Sequence, residues 1–151
     1  MTTIAYKNGT IAADRQATDG GLRLETDEKL TQRGDMVYAV AGVLATGLMT
    51  VSWMLRNNHN PWGEEGECPL KDDDDGTCVV TMDLRTGTVE VWEAPGYPMA
   101  VKDKFAAWGS GAPVAIGAMA AGADAVEAVK IASAWDEGTG LGVRAFTAWA
   151  E

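Results

Sequence analysis

Residues 2–18 read TTIAYKNGTIAADRQAT. Two β-prone runs, 3–7 and 10–14, flank Asn8-Gly9. Asn-Gly between such runs is the strongest short hairpin signal, because a tight type I′ turn needs positive φ at both central residues. The fold therefore starts with an antiparallel hairpin, and Thr2 and Thr3 stand immediately before its first strand.

Outward from this hairpin the chain adds strands and then helices. Gly20-Gly21 marks a loop, and LRLETDEKL (22–30) reads as extended, with Leu22 and Leu24 alternating. MVYAVAG (36–42) is a continuous apolar run, the pattern of a strand buried on both faces. After Gly42 the period changes. Leu44, Leu48, Val51 and Leu55 recur at helical spacing and predict a helix over 44–57. Residues 58–76 contain Pro61, Pro69, three glycines and four consecutive aspartates, Asp72–Asp75, and read as a long polar loop. A second hairpin, 77–83 with 88–93, turns through LRTGT, and FAAWGSG (105–111) is one more strand. The alanine-rich stretch 112–135 presents Ala125, Ala128, Val129, Ile131, Ala132 and Trp135 on one face and predicts two helices separated near Gly122. GVRAFTAW (142–149) closes the chain as a strand. Segregated strands and helices imply antiparallel sheets covered by helices. With no repeat and no linker, one domain over 1–151 is expected.

Bulk properties exclude several classes of function. Of 151 residues, 46% are hydrophobic and 23% charged, as in ordinary globular proteins. A net charge of −10 argues against nucleic acid and anionic membranes as partners. No apolar run reaches the roughly 20 residues of a bilayer span, and the start lacks a secretory pattern, so a cytoplasmic location is expected. In that compartment Cys68 and Cys78 read as ordinary thiols, with a disulfide the alternative. Together with the single histidine, His59, they fall short of a four-ligand zinc site. His59 sits in the polar loop, reads as solvated, and is a weak candidate for the base of a serine triad. The aspartate run lacks the spaced ligands of a calcium loop and reads as solvated and self-repelling. Phosphate-loop and nucleophile-elbow motifs are missing.

Thr2 offers a different chemistry. A small second residue favours aminopeptidase removal of Met1, which would bare a hydroxyl and an α-amine on one amino acid. The hydroxyl can attack while the amine, with a reference pKa of about 7.7–8.0, takes its proton.

Taken in order, TTIAYKNGTIAADRQAT, DEKL, AVAG, WGSGAP and WDEGTG resemble the β-type subunits of the proteasome, and above all the bacterial HslV peptidase, among the N-terminal nucleophile hydrolases. The resemblance covers nearly the whole chain. It implies an α+β fold, a four-layer αββα sandwich, and a threonine-type endopeptidase. It matches Thr2 to the nucleophile, Asp14 and Lys29 to the pair that tunes it, and Gly42 to the oxyanion-hole glycine. Ser110 and Asp136 match the residues that orient the amine, with Thr139 standing where the family carries serine. Thr18 matches a contact to the substrate backbone. The specificity pocket would be lined by Ala17, Asp27, Val40 and Leu44. Such a pocket is mostly apolar and suits apolar side chains, whereas Asp27 at its mouth would favour a basic one. The resemblance also implies self-assembly into rings acting on polypeptide, and an ATPase unfoldase as a candidate partner. It requires no cofactor. A monovalent ion such as Na+, held near Ser133, Asp136 and Thr139, belongs to HslV-type subunits.

The chain departs from the pattern in one respect. Family members carry two helices after the oxyanion glycine, where an unfoldase docks, but only 44–57 is convincing here. The first helical layer should therefore be short. Each matched residue also has a plain reading. Asp14 and Lys29 would form a surface pair, Gly42 a strand-to-helix turn, Ser110 a helix cap, and Asp136 a helix end. Two other functions fit the same fold: a catalytically silent assembly subunit, and an amidase acting on a small molecule.

Overall fold

The computed structural model describes residues 2–149. Met1, whose removal the sequence reading expects, lies outside them. The order of elements is β1 (Ile4–Lys7), β2 (Thr10–Asp14), β3 (Gln16–Asp19), β4 (Leu22–Glu25), β5 (Leu30–Arg33), β6 (Met36–Ala41), α1 (Leu44–Arg56), β7 (Cys78–Asp83), β8 (Val89–Glu93), β9 (Tyr97–Ala100), β10 (Phe105–Trp108), α2 (Ala112–Ala120), α3 (Ala125–Trp135) and β11 (Val143–Thr147).

The first hairpin forms as its turn residues require. Asn8 and Gly9 have φ of 50° and 80°, and Ile4 pairs with Ala13 across the turn. β10 and β11 extend this hairpin into a four-stranded antiparallel sheet ordered β10-β1-β2-β11. A second antiparallel sheet has the order β5-β6-β7-β8-β9. β3 and β4 form a separate two-stranded ribbon.

Strand alternation sorts the side chains into three apolar layers. Ile4, Ile11 and Ala13 face Val37, Ala39, Ala41, Val80 and Met82 between the two sheets. The opposite faces of the same strands serve the helices. Ala5 and Ala12 pack on Ala115, Met119, Ala125, Ala128 and Val129 of α2 and α3. Tyr38, Val40 and Val79 pack on Val51, Trp53 and Met54 of α1. The result is a four-layer αββα sandwich in which β6 is buried on both faces. Alanines at the β1–β2 face and on α3 let the second helical pair lie close against its sheet.

The first helical layer holds α1 alone among the described residues. The chain from Asn57 to Thr77 takes the remaining place without regular structure. Leu70 and Trp53 are buried, and Trp53 Nε1 donates to the Gly66 carbonyl at 2.8 Å. The polar loop expected from composition is therefore pinned to the core at its centre. His59 needs a similar correction. It is half-buried rather than solvated, its ring stacks on Tyr38, and its Nε2 lies 2.6 Å from the Tyr38 hydroxyl. Burial holds the imidazole below its ordinary value and pushes the Tyr38 hydroxyl up to about 12. Both cysteines carry free thiols, and burial pushes the Cys78 thiol up to about 12.

α2 and α3 are separated at residues 121–124, with Gly122 at a φ of 114°. Asp124 caps α3 by accepting from the Glu127 N–H at 2.8 Å. No helix among the described residues is long and apolar enough to cross a membrane.

Candidate active site

Strand β1 delivers Thr2 and Thr3 to the edge of the sandwich, where both are buried. The loop after β10 grips this start of the chain. Gly109 has a φ of 96°, and a Cβ there would fall 2.0 Å from the Thr2 carbonyl oxygen. Only glycine allows that approach. The Ser110 hydroxyl lies 3.5 Å from the same carbonyl, and the Gly111 N–H donates to it at 3.4 Å.

Asp14 ends β2 directly beside this point. Its carboxylate accepts from the Thr3 N–H at 3.1 Å, the Gln16 N–H at 3.3 Å and the Gly140 N–H at 3.1 Å. The Lys29 ammonium adds contacts of 3.3 and 3.2 Å to its two oxygens. Asp14 is 1% exposed and Lys29 4%. They are thus a buried ion pair, not the surface pair that spacing alone allows. Burial draws the Lys29 pKa below its ordinary 10.5, against the opposing pull of Asp14 and Asp136. This proximity to two carboxylates keeps a cation at a site that would otherwise expel it.

A second polar chain runs behind Thr3. Thr3 Oγ1 lies 2.7 Å from Thr139 Oγ1, and Thr139 in turn donates to Asp136. The Ser110 hydroxyl donates to the same Asp136 oxygen at 2.6 Å. Burial is the largest influence and opposes ionisation of Asp136, but these two hydroxyl donors, the Gly138 N–H and the positive charge at the chain start together hold the carboxyl below its ordinary value. Ser110 therefore does not cap α2. The cap position is Gly111, which makes no side-chain bond there.

Gly42 follows β6 with a φ of 95°, and a Cβ would stand 2.6 Å from the Thr77 Cα. The next N–H, that of Val43, donates to Thr77 Oγ1 at 3.1 Å. Two cavities meet at this segment. One, of about 310 Å³, is lined by Thr2, Ala17, Thr18, Lys29, Val40, Gly42, Val43 and Leu44. The other, of about 560 Å³, is lined by Thr2, Ala41, Gly42, Val43, Asp75, Gly76, Gly109 and Ser110. Thr2 and the Gly42–Val43 segment form the wall they share.

The structure thus gathers Thr2, Lys29, Gly42, Ala17, Thr18, Val40 and Leu44 around the first cavity. Asp27 does not join them. Its carboxylate is taken by Arg15 at 2.7 Å, with Arg144 at 3.8 Å, so the acidic mouth expected for this pocket does not form. Sequence reading named Thr3 only as the neighbour of Thr2, and it passed over Val43 and Thr77. The repeated threonine and the Gly-Ser-Gly turn were the available signals, but the partners of each come from distant loops.

Ser133, Asp136 and Thr139 line a third cavity of about 340 Å³ together with Arg23. The Ser133 hydroxyl donates back to the Val129 carbonyl, and the Asp136 carbonyl already accepts from the Thr139 N–H. With one carbonyl engaged and a guanidinium in the lining, these residues fit a monovalent cation poorly.

Solved structures share this fold. The BPH protein of Thiobacillus denitrificans aligns over 99% of both chains at 23% identity with a TM-score of 0.68. A complex of BPH from the same organism with epoxomicin aligns over 99% of both at 21% and 0.66. Eukaryotic HslV from Trypanosoma brucei aligns over 96% of this chain and 97% of its own, at 18% and 0.69. No family model and no curated protein matches the sequence.

Proposed function

We propose that this chain is a threonine-type peptidase whose nucleophile is Thr2 after removal of Met1. One observation carries the reading. Thr2, the buried cation of Lys29 and the Gly42 turn line a single cavity, and Asp14, with four donors, fixes that cation in place.

In this mechanism the Thr2 hydroxyl attacks the peptide carbonyl carbon and its proton passes to the α-amine. The Lys29 charge favours the alkoxide character that develops on the hydroxyl. The carbonyl oxygen, now an oxyanion, meets the Gly42 N–H; a donor of this type is typically worth about 3–4 kcal/mol. The tetrahedral centre collapses, the α-amine gives its proton to the departing nitrogen, and an ester to Thr2 remains. Water then attacks the ester with the amine again as base, which releases the acid and restores the hydroxyl. Ser110 and Asp136, one bonded to the other beside the Thr2 backbone, orient the amine. Thr18 would meet the substrate backbone, and the cavity formed by Ala17, Val40 and Leu44 suits an apolar side chain on the acyl side.

The proposal extends to polypeptide substrates and to self-assembly into rings. The outer face of α2 and α3 supports assembly, since it leaves Ile116, Ile131 and Trp135 exposed, the last at 79%; Ile131 and Trp135 thus turn away from the buried face of Ala125, Ala128, Val129 and Ala132 with which helical spacing grouped them. An unfoldase partner is left out, because the layer on which it would dock holds α1 alone among the described residues.

The test is intact-mass spectrometry before and after a peptide boronate or epoxyketone, with hydrolysis of fluorogenic peptides. Loss of Met1 and an adduct on Thr2 are expected, and Thr2→Ala should lower kcat on the order of 10³-fold or more. Retained Met1, no adduct and no hydrolysis would overturn the peptidase reading and point to a silent assembly subunit.

A further inference from the structure

The aspartate run reads in sequence as a solvated loop, yet two anchors bring its end to Thr2. Leu70 is buried before the run. After it, the Thr77 N–H donates to Asp73 Oδ2 at 2.9 Å while Thr77 Oγ1 accepts from the Val43 N–H. Asp75, between these fixed points, lines the 560 Å³ cavity that shares Thr2 and Gly42 with the smaller one. It is the one charged side chain of that lining among the described residues. Lys71, at the other end of the run, is held by Glu67 at 2.8 Å.

We propose that this larger cavity receives the residue that follows the cleaved bond, and that Asp75 makes it prefer lysine or arginine there. The inference rests on the Thr2 peptidase reading and adds a specificity to it. A peptide whose carbonyl sits at Thr2, against the wall common to both cavities, places one flanking residue in each. The departing nitrogen takes its proton from the α-amine, so the departing half lies on the side of the Thr2 backbone. Gly109 and Ser110, which hold that backbone, line the larger cavity and not the smaller. The acyl side chain thus goes to the mostly apolar pocket and the next residue meets Asp75. Asp75 is exposed, so water and salt screen it. An exposed charge pair supports a preference of about 3- to 10-fold when attraction to lysine and repulsion of glutamate are compared.

The experiment uses the processed full chain and internally quenched peptides identical except for lysine, alanine or glutamate after the cleaved bond. Cleavage positions are read by mass spectrometry. In the unaltered protein the kcat/KM ratio of the lysine to the glutamate peptide should be about 3–10 at low salt and shrink toward 1 at about 0.5 M salt. Asp75→Asn should bring the ratio near 1, and Asp75→Lys should invert it. An identical ratio in all three proteins, with cleavage and Thr2 adducts intact, overturns the subsite and leaves the peptidase reading standing. Absence of both cleavage and adduct in the unaltered protein overturns both.

Discussion

Asp14→Asn keeps the volume of the side chain and removes its charge. In the native structure the carboxylate accepts three backbone N–H groups and the Lys29 ammonium, at 3.1–3.3 Å, with almost no solvent access. An asparagine there must turn its own N–H₂ toward at least one of these donors. It also takes from the buried Lys29 ammonium the carboxylate in direct contact with it. Breaking a buried pair from one side costs about 3–5 kcal/mol. For a chain of this length each kcal/mol moves Tm by about 2–4 °C, so the midpoint should fall by about 6–20 °C. Thermal and urea unfolding of the single variants and of Asp14→Asn with Lys29→Met measure the pair directly. The double variant removes that cation as well and should recover part of the loss, with a coupling of about 2–3 kcal/mol. The reasoning is refuted if Asp14→Asn costs under about 1 kcal/mol, or if the two single losses simply add.

Three further outcomes are expected. Gly109→Ala should displace Thr2, because its Cβ would meet the Thr2 carbonyl at 2.0 Å on a backbone of positive φ; Tm and adduct formation should both drop, and a variant with unaltered labelling kinetics would contradict the account. His59 is held below its ordinary 6.5 by burial, so the unfolded chain binds more protons than the folded one just below that value. Its contribution is complete above pH 6.5 and lost as pH falls through the folded value, and His59→Gln should remove that part of the slope in urea-unfolding free energy. Leu70→Ala should cost about 2–5 kcal/mol by urea unfolding, since it opens a cavity under the 57–77 loop; a loss under 1 kcal/mol would mean that the loop is not pinned there.

Local chemistry made most of the fold legible. Asn8-Gly9, the apolar run 36–42 and the helical spacing after Gly42 depend on neighbours in sequence, and each forms where its residues direct. β9 escaped notice because Pro98 interrupts a short strand flanked by Pro95 and Gly96. It is tolerated there because β9 is an edge strand, paired with β8 alone. β3 has no local signal of its own, since the break from β2 at Arg15 is made by carbonyls of Gly140 and Gly142, more than a hundred residues away.

The site divides along the same line. Its order of residue types, from Thr2 through Asp14, Lys29 and Gly42 to Ser110 and Asp136, is legible only through the ordered resemblance of the motifs around them, because each taken alone reads equally as a surface pair, a turn, a cap or a helix end. What surrounds them is not legible there. Whether Asp14 and Lys29 lie in solvent or in the core, whether Asp27 faces a pocket or Arg15, and where Asp75 ends up are set by packing between distant segments. Burial and hydrogen-bond partners are properties of the folded whole. Sequence decided which groups exist and which strand carries each. Only the tertiary structure decided which of them share a wall with Thr2, because that depends on sheets and loops meeting across the sandwich.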